Sequence, residues 1–84
     1  MPRFHLNIHD SGGLSRDEEG LELADLSAAR ACALDGIRSM VGEEVRTGVL
    51  SLHGRVEITD EAGTVLEIVR FADAVELRLP EEAR

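Results

Sequence analysis

Two four-residue segments, Asp17-Glu18-Glu19-Gly20 and Asp60-Glu61-Ala62-Gly63, flank the main stretch of helical periodicity in this chain. In each, acidic turn-tolerant residues lead to a glycine that can adopt positive φ without a Cβ clash, which predicts a chain reversal between strands at both places. A chain punctuated in this way is confined to short strands around one helix.

The residues between the turns supply those elements. Phe4, Leu6 and Ile8 alternate with Arg3, His5, Asn7 and His9, the period of a strand with one buried and one wet face, and the strand ends at Asp10. Ser11-Gly12-Gly13 offers a turn, after which Leu14-Ser15-Arg16 can run back as a short partner. From Asp25 to about Thr47 the spacing is helical: Leu26, Ala29, Ala33, Leu34, Ile37, Met40, Val41 and Val45 share one side, and Asp35, Arg38, Ser39, Glu43 and Arg46 the other. Asp25 is placed to cap the first turn and Gly48 to end the last one in the left-handed region.

Beyond a connector holding His53 and Gly54, Val56 and Ile58 alternate with Glu57 and Thr59, and Thr64 to Phe71 returns as an apolar strand, so this half reads as a β-hairpin. The returning strand has two phases open to it. Either Leu66 and Ile68, or Val65, Val69 and Phe71, face the core with Val56 and Ile58. Ala72 to Leu79 reads as a further strand or a turn of helix, and Pro80-Glu81-Glu82-Ala83-Arg84 as a polar tail. The predicted fold is therefore α+β: an antiparallel sheet of three to four strands with one long amphipathic helix on one face, chain order β-(β)-α-β-β, in a single domain over residues 1–79.

Composition limits what such a domain does. With 84 residues and only two aromatic side chains, Phe4 and Phe71, the interior is aliphatic and modest, and burial at about 25 cal/mol per Å² makes dimerisation a natural supplement. A net charge of −8 from 17 acidic and nine basic residues, scattered along the chain, argues against contact with nucleic acid or anionic lipid, both of which need clustered cations. Cys32 is alone, which excludes an internal disulfide, and neither a signal-like apolar stretch nor a run of about 20 apolar residues occurs. The expected compartment is the cytoplasm.

Few residues suggest chemistry. His5 and His9 share the wet side of the first strand, but positions four apart in a strand lie roughly 13 Å from each other, too far to bind one zinc through bonds of about 2.1 Å. A metal site would need one of them together with His53, Cys32 or a carboxylate. Cys32 sits in mid-helix between Ala31 and Ala33 at the border of the apolar arc, without the base that ionises a catalytic thiol. Ser11-Gly12-Gly13 lacks the Lys and Ser/Thr of a phosphate-binding loop, and the adjacent carboxylates Glu18/Glu19 and Glu43/Glu44 read as solvated faces. Arg30 falls inside the apolar arc, where an unpaired cation is costly, so it is expected either to pair with Asp17, Glu18 or Glu19 and pin the first acidic loop to the helix, or to snorkel into water.

Taken together, Met1-Pro2-Arg3-Phe4 opening a strand, Asp17-Glu18-Glu19-Gly20 followed by Leu21-Glu22-Leu23 and Asp25-Leu26 leading into an Ala-rich helix, then Asp60-Glu61-Ala62-Gly63 and Phe71-Ala72-Asp73-Ala74-Val75, resemble a large family of short bacterial proteins known only as a domain of unknown function. The resemblance spans nearly the whole chain; it implies a compact bacterial cytosolic domain and transfers no catalytic, cofactor or metal residue. A looser likeness to β-α-β-β antitoxin-type domains rests on architecture, which does not determine function. The leading expectation is a non-enzymatic protein-binding or regulatory module acting as a homodimer, with no cofactor. Two alternatives stand beside it: a small metal-binding protein or enzyme using His5, His9 or His53, and a nucleic-acid-binding regulator that gathers Arg3, Arg16, Arg55, Arg70 and Arg78 on one sheet face.

Overall fold

The computed structural model describes residues 1–81. Strands β1 (Arg3–Asp10), β2 (Gly13–Ser15) and β3 (Leu21–Glu22) precede helix α1 (Leu26–Arg46), and β4 (Arg55–Thr59), β5 (Val65–Arg70) and the short helix α2 (Phe71–Ala74) follow it. The sheet runs β2-β1-β4-β5, with β3 also pairing β1, and every pairing is antiparallel. This is the expected α+β fold with one long helix across one face. The sheet gains a fifth strand because its edge is split into two short pieces, β2 and β3.

Alternation in β1 and β4 turns Phe4, Val56 and Ile58 toward α1, which contributes Ala29, Ala33, Ile37 and Val41 to the same core. Ile37, Ile58 and Val69 are fully buried, each stabilising the fold by about 1.5–3 kcal/mol relative to exposure. Val45 lies on the expected apolar side of α1 yet is exposed. The helix ends are closed as the sequence predicts. Asp25 Oδ1 accepts the Ala28 N–H at 2.9 Å, and Gly48 at φ +92° allows the Gly48 and Val49 N–H groups to return to the Val45 and Glu44 carbonyls.

Only the second acidic segment reverses the chain. Asp60 Oδ1 accepts the N–H groups of Ala62 and Thr64, both at 2.9 Å, and Gly63 sits at φ +88° in the β4–β5 hairpin. The first segment does not turn back: β2 and β3 both run antiparallel to β1, hence in the same direction as each other. Asp17 to Gly20 is instead a loop bulging out of one edge strand. The cause is the Asp17 carboxylate, which accepts the Leu6 N–H (3.1 Å) left open between β2 and β3, and also the Gly20 N–H (3.0 Å). Gly20 has φ +75°, and a Cβ there would lie 2.9 Å from the Phe4 carbonyl oxygen, so the loop closes against β1 only with glycine at this position.

A bulge settles the phase of β5. Ile58 pairs with Glu67 but Thr59 pairs with Val65, which makes Leu66 an extra residue. Val69 and Phe71 therefore reach the core, as one of the two open phases required, while Val65 is turned to the opposite face with Thr59 and Ile68. The same shift aims Glu67 at α1. Arg30 consequently pairs with Glu67 and not with Asp17, Glu18 or Glu19: the two charges that intrude on the apolar faces of helix and sheet neutralise each other at the border of the core.

After β5 the chain forms helix rather than a sixth strand. The Phe71 ring packs against Gly54, where a Cβ would come within 2.7 Å of it, and the Phe71 N–H donates to the Gly54 carbonyl at 2.9 Å. Arg38 Nε donates to the Ala74 carbonyl at 2.7 Å, tying α2 to α1. Of the polar tail expected at 80–84, residues 82–84 lie outside the described residues. Among those described, no helix is long and apolar enough to cross a membrane.

Candidate functional site

The face of the sheet opposite α1 carries an open cleft of about 570 Å³. Its floor is formed by the outward side chains His5, Asn7 and His9 of β1 and Glu57 and Thr59 of β4, and its rim by Arg16 to Glu18 of the first acidic loop and Asp60, Glu61 and Gly63 of the second. The two acidic segments thus come together at one end of the sheet. Arg3 joins them: its guanidinium donates to the Glu19 carbonyl (2.8 Å), pairs with Glu22 (3.0 Å) and lies 3.7 Å from Glu61.

Most of the polar groups in the floor are committed to internal bonds. His5 Nδ1 donates to the Asp17 carbonyl at 2.6 Å, which fixes that ring nitrogen as the protonated one and leaves Nε2 for the cleft. Asn7 Oδ1 accepts the Asp17 N–H at 2.8 Å, so only its amide N–H groups remain. His9 Nε2 meets Glu57 Oε1 at 3.2 Å, and Arg55 Nε donates to Glu57 Oε2 at 3.3 Å. Asp17 is the hub of this arrangement, using its carboxylate, its N–H and its carbonyl to hold the first loop against β1. Sequence reasoning saw a turn residue there; the available signal was the aspartate opening both acidic segments, because this side chain readily bonds nearby backbone N–H groups.

The residues considered for chemistry do not converge. His5 and His9 bond separate partners, and His53 stands exposed in the connector before β4, away from the cleft. Among the described residues, no three His, Cys, Asp or Glu side chains form a group suited to a metal ion. Cys32 lines a different depression of about 280 Å³ between α1 and β1, with Leu6, Ile8, Gly36 and Met40 among its neighbours and no histidine or carboxylate among the lining residues. That setting offers the thiol no base.

The arginines are not assembled into a cationic face either. Arg3, Arg55 and Arg78 each bond a carboxylate, Arg16 lies amid the acidic rim, and Arg70 neighbours Arg55 across the β4–β5 pair. The cleft is therefore acidic, with Asp17, Glu18, Glu57, Asp60 and Glu61 lining it against one arginine, Arg16. Such a surface can form hydrogen bonds through Asn7, Arg16 and His5 Nε2, and the described residues that line it include one hydroxyl residue, Thr59, and no cysteine or serine.

No curated protein and no solved structure matches the chain. A family pattern does: that of a domain of unknown function, DUF6894, matches residues 3–72. The matched span runs from the Arg3 clasp through both acidic segments to the start of α2, the part of the chain that builds the sheet, α1 and the cleft, and the protein belongs to this family.

Proposed function

We propose that this domain is a non-enzymatic protein-binding or regulatory module that acts as a homodimer in the bacterial cytoplasm. The observation that carries the reading is the outer strand of the sheet: among the described residues β5 has no neighbour beyond it, and Val65, Leu66 and Ile68 are 47%, 41% and 47% exposed. Exposed apolar side chains on a free strand edge are a standing invitation to pairing, which natural proteins either block or use. The polar cleft supports the same reading, since its histidines, asparagine and first-loop aspartate spend their bonding capacity on the fold itself. Cys32, a single unpartnered thiol, fits a reducing compartment.

Light scattering on the purified protein tests this. A species of about 18 kDa, twice the 9.1 kDa chain, is the expected result. A monomer at micromolar concentration overturns the homodimer. Thermal unfolding with and without zinc tests the competing chemistry: an unchanged Tm is expected, and marked stabilisation by the metal would transfer the function to the histidines.

A further inference from the structure

We infer that the cleft on the open face of the sheet takes an arginine side chain presented by a partner polypeptide. This inference rests on the reading of the domain as a protein-binding module and names what its cleft holds. Thr59 carries it. The residue lines the cleft from the outward side of β4 and is only 6% exposed, yet its hydroxyl, which keeps access to the cleft, has no hydrogen-bond partner among the described residues. Polar groups enclosed to that degree are bonded as a rule, so an open one on the floor of a recess marks a place left for a ligand. The neighbouring residue agrees. His5 is the partner of Thr59 across β1 and β4, which sets their Cβ atoms about 5 Å apart. With Nδ1 given to the Asp17 carbonyl, the His5 ring offers Nε2 as an acceptor beside that hydroxyl.

The charge around this floor calls for a cation. Asp17-Glu18 and Asp60-Glu61 stand on its two sides. Asp60 uses Oδ1 in the hairpin and Glu18 pairs with no described residue, so carboxylate oxygens remain on both sides. Five carboxylates to one arginine line the cleft, and adding Arg3 and Arg55, which pair with Glu61 and Glu57, still leaves negative charge in excess. A metal ion does not suit it, because among the described residues no three His, Cys, Asp or Glu side chains form a group that could hold one.

An organic cation remains. A guanidinium spreads five N–H donors in one plane and can meet acceptors on the floor and on both sides together, which the compact ammonium of lysine does less well. A polypeptide is favoured over a free cation because the same cleft also holds donors. The Asn7 amide N–H groups, two residues along β1 from His5, and Arg16 at the rim have nothing to offer a guanidinium but suit the main-chain carbonyls on either side of an arginine.

The test is an NMR titration of the isotope-labelled protein with the blocked peptide Gly-Gly-Arg-Gly-Gly. Saturable amide shifts are expected at His5, Asn7, Thr59 and Asp60 and not along α1, which lies on the other face. Thr59→Val removes the hydroxyl at unchanged size and charge and should weaken binding about fivefold, whereas Thr59→Ser, which keeps it, should stay within about twofold. Glu61→Gln should also weaken binding, and Glu43→Gln, on α1, should not. Shifts that are absent or spread over the whole surface, affinity unchanged by Thr59→Val, or equal losses for Glu61→Gln and Glu43→Gln overturn the site and leave only the attraction of an acidic chain for any cation. Equal binding of the lysine peptide overturns the choice of guanidinium, and equal binding of butylguanidinium overturns the polypeptide source. If the cleft fails while light scattering gives a dimer, the homodimer stands; a monomer that binds the peptide keeps the cleft and loses the homodimer.

Discussion

Replacing Asp17 with alanine removes the one carboxylate that holds the first acidic loop to β1, and its cost can be worked from the bonds it makes. Two charge-assisted hydrogen bonds are lost, from the Leu6 N–H at 3.1 Å and the Gly20 N–H at 3.0 Å, in a half-buried setting. With water competing for such groups, each contributes about 1 kcal/mol net, so Asp17→Ala should destabilise the domain by about 2 kcal/mol. For a domain of this size that corresponds to a fall in Tm of roughly 8–16 °C. Circular dichroism melts measure it. Amide hydrogen exchange locates it, with protection lost first at Leu6 and Gly20. Asp17→Asn keeps one carbonyl acceptor and should lose about half as much. Glu18→Ala, at an exposed position, is the control and should change stability by less than about 0.5 kcal/mol. A loss for Asp17→Ala no larger than that for Glu18→Ala would refute the role given to Asp17 as the hub of the loop.

Gly54→Ala forces a methyl group against the Phe71 ring and to within 2.9 Å of the His9 carbonyl, and chemical denaturation should register a loss of about 2–3 kcal/mol. Gly36 sits in mid-helix with open space where a Cβ would go, so Gly36→Ala should raise stability by about 0.5–1 kcal/mol in the same assay. Arg30→Met should cost under about 1 kcal/mol, because the Arg30–Glu67 pair is partly solvated, and should leave amide protection across residues 17–20 unchanged; loosening of that loop would restore a link between Arg30 and the loop acids.

Much of the fold was legible because it depends on local rules. Asp25 and Gly48 mark the helix ends through capping chemistry that needs no tertiary knowledge, and Phe4, Leu6 and Ile8 declare the buried side of β1 by alternation alone. The features that escaped sequence reading depend on register. Nothing local to Val65-Leu66-Glu67 reveals that Leu66 is supernumerary, yet that one residue decides whether Glu67 faces α1 and so supplies a partner for Arg30. The first acidic segment misled for a related reason. Its composition is that of a turn, but whether a turn reverses the chain depends on what its backbone meets, and Asp17 finds the unpaired Leu6 N–H across the edge. The cleft was half visible: His5, Asn7 and His9 were placed together on the wet face, while their bonds to the Asp17 backbone and Glu57 join residues distant in sequence.

The free edge of β5 is where the proposed contact forms, and the amide of Ile68 reports on it directly. Hydrogen exchange followed by NMR across a dilution series should show the Ile68 N–H protected at high concentration and progressively exposed as the protein is diluted. The Glu67 and Val69 N–H groups, bonded to β4 within one chain, should keep the same protection throughout. An Ile68 amide that exchanges at an unprotected rate at every concentration contradicts the claim that this strand is where the molecule meets its partner.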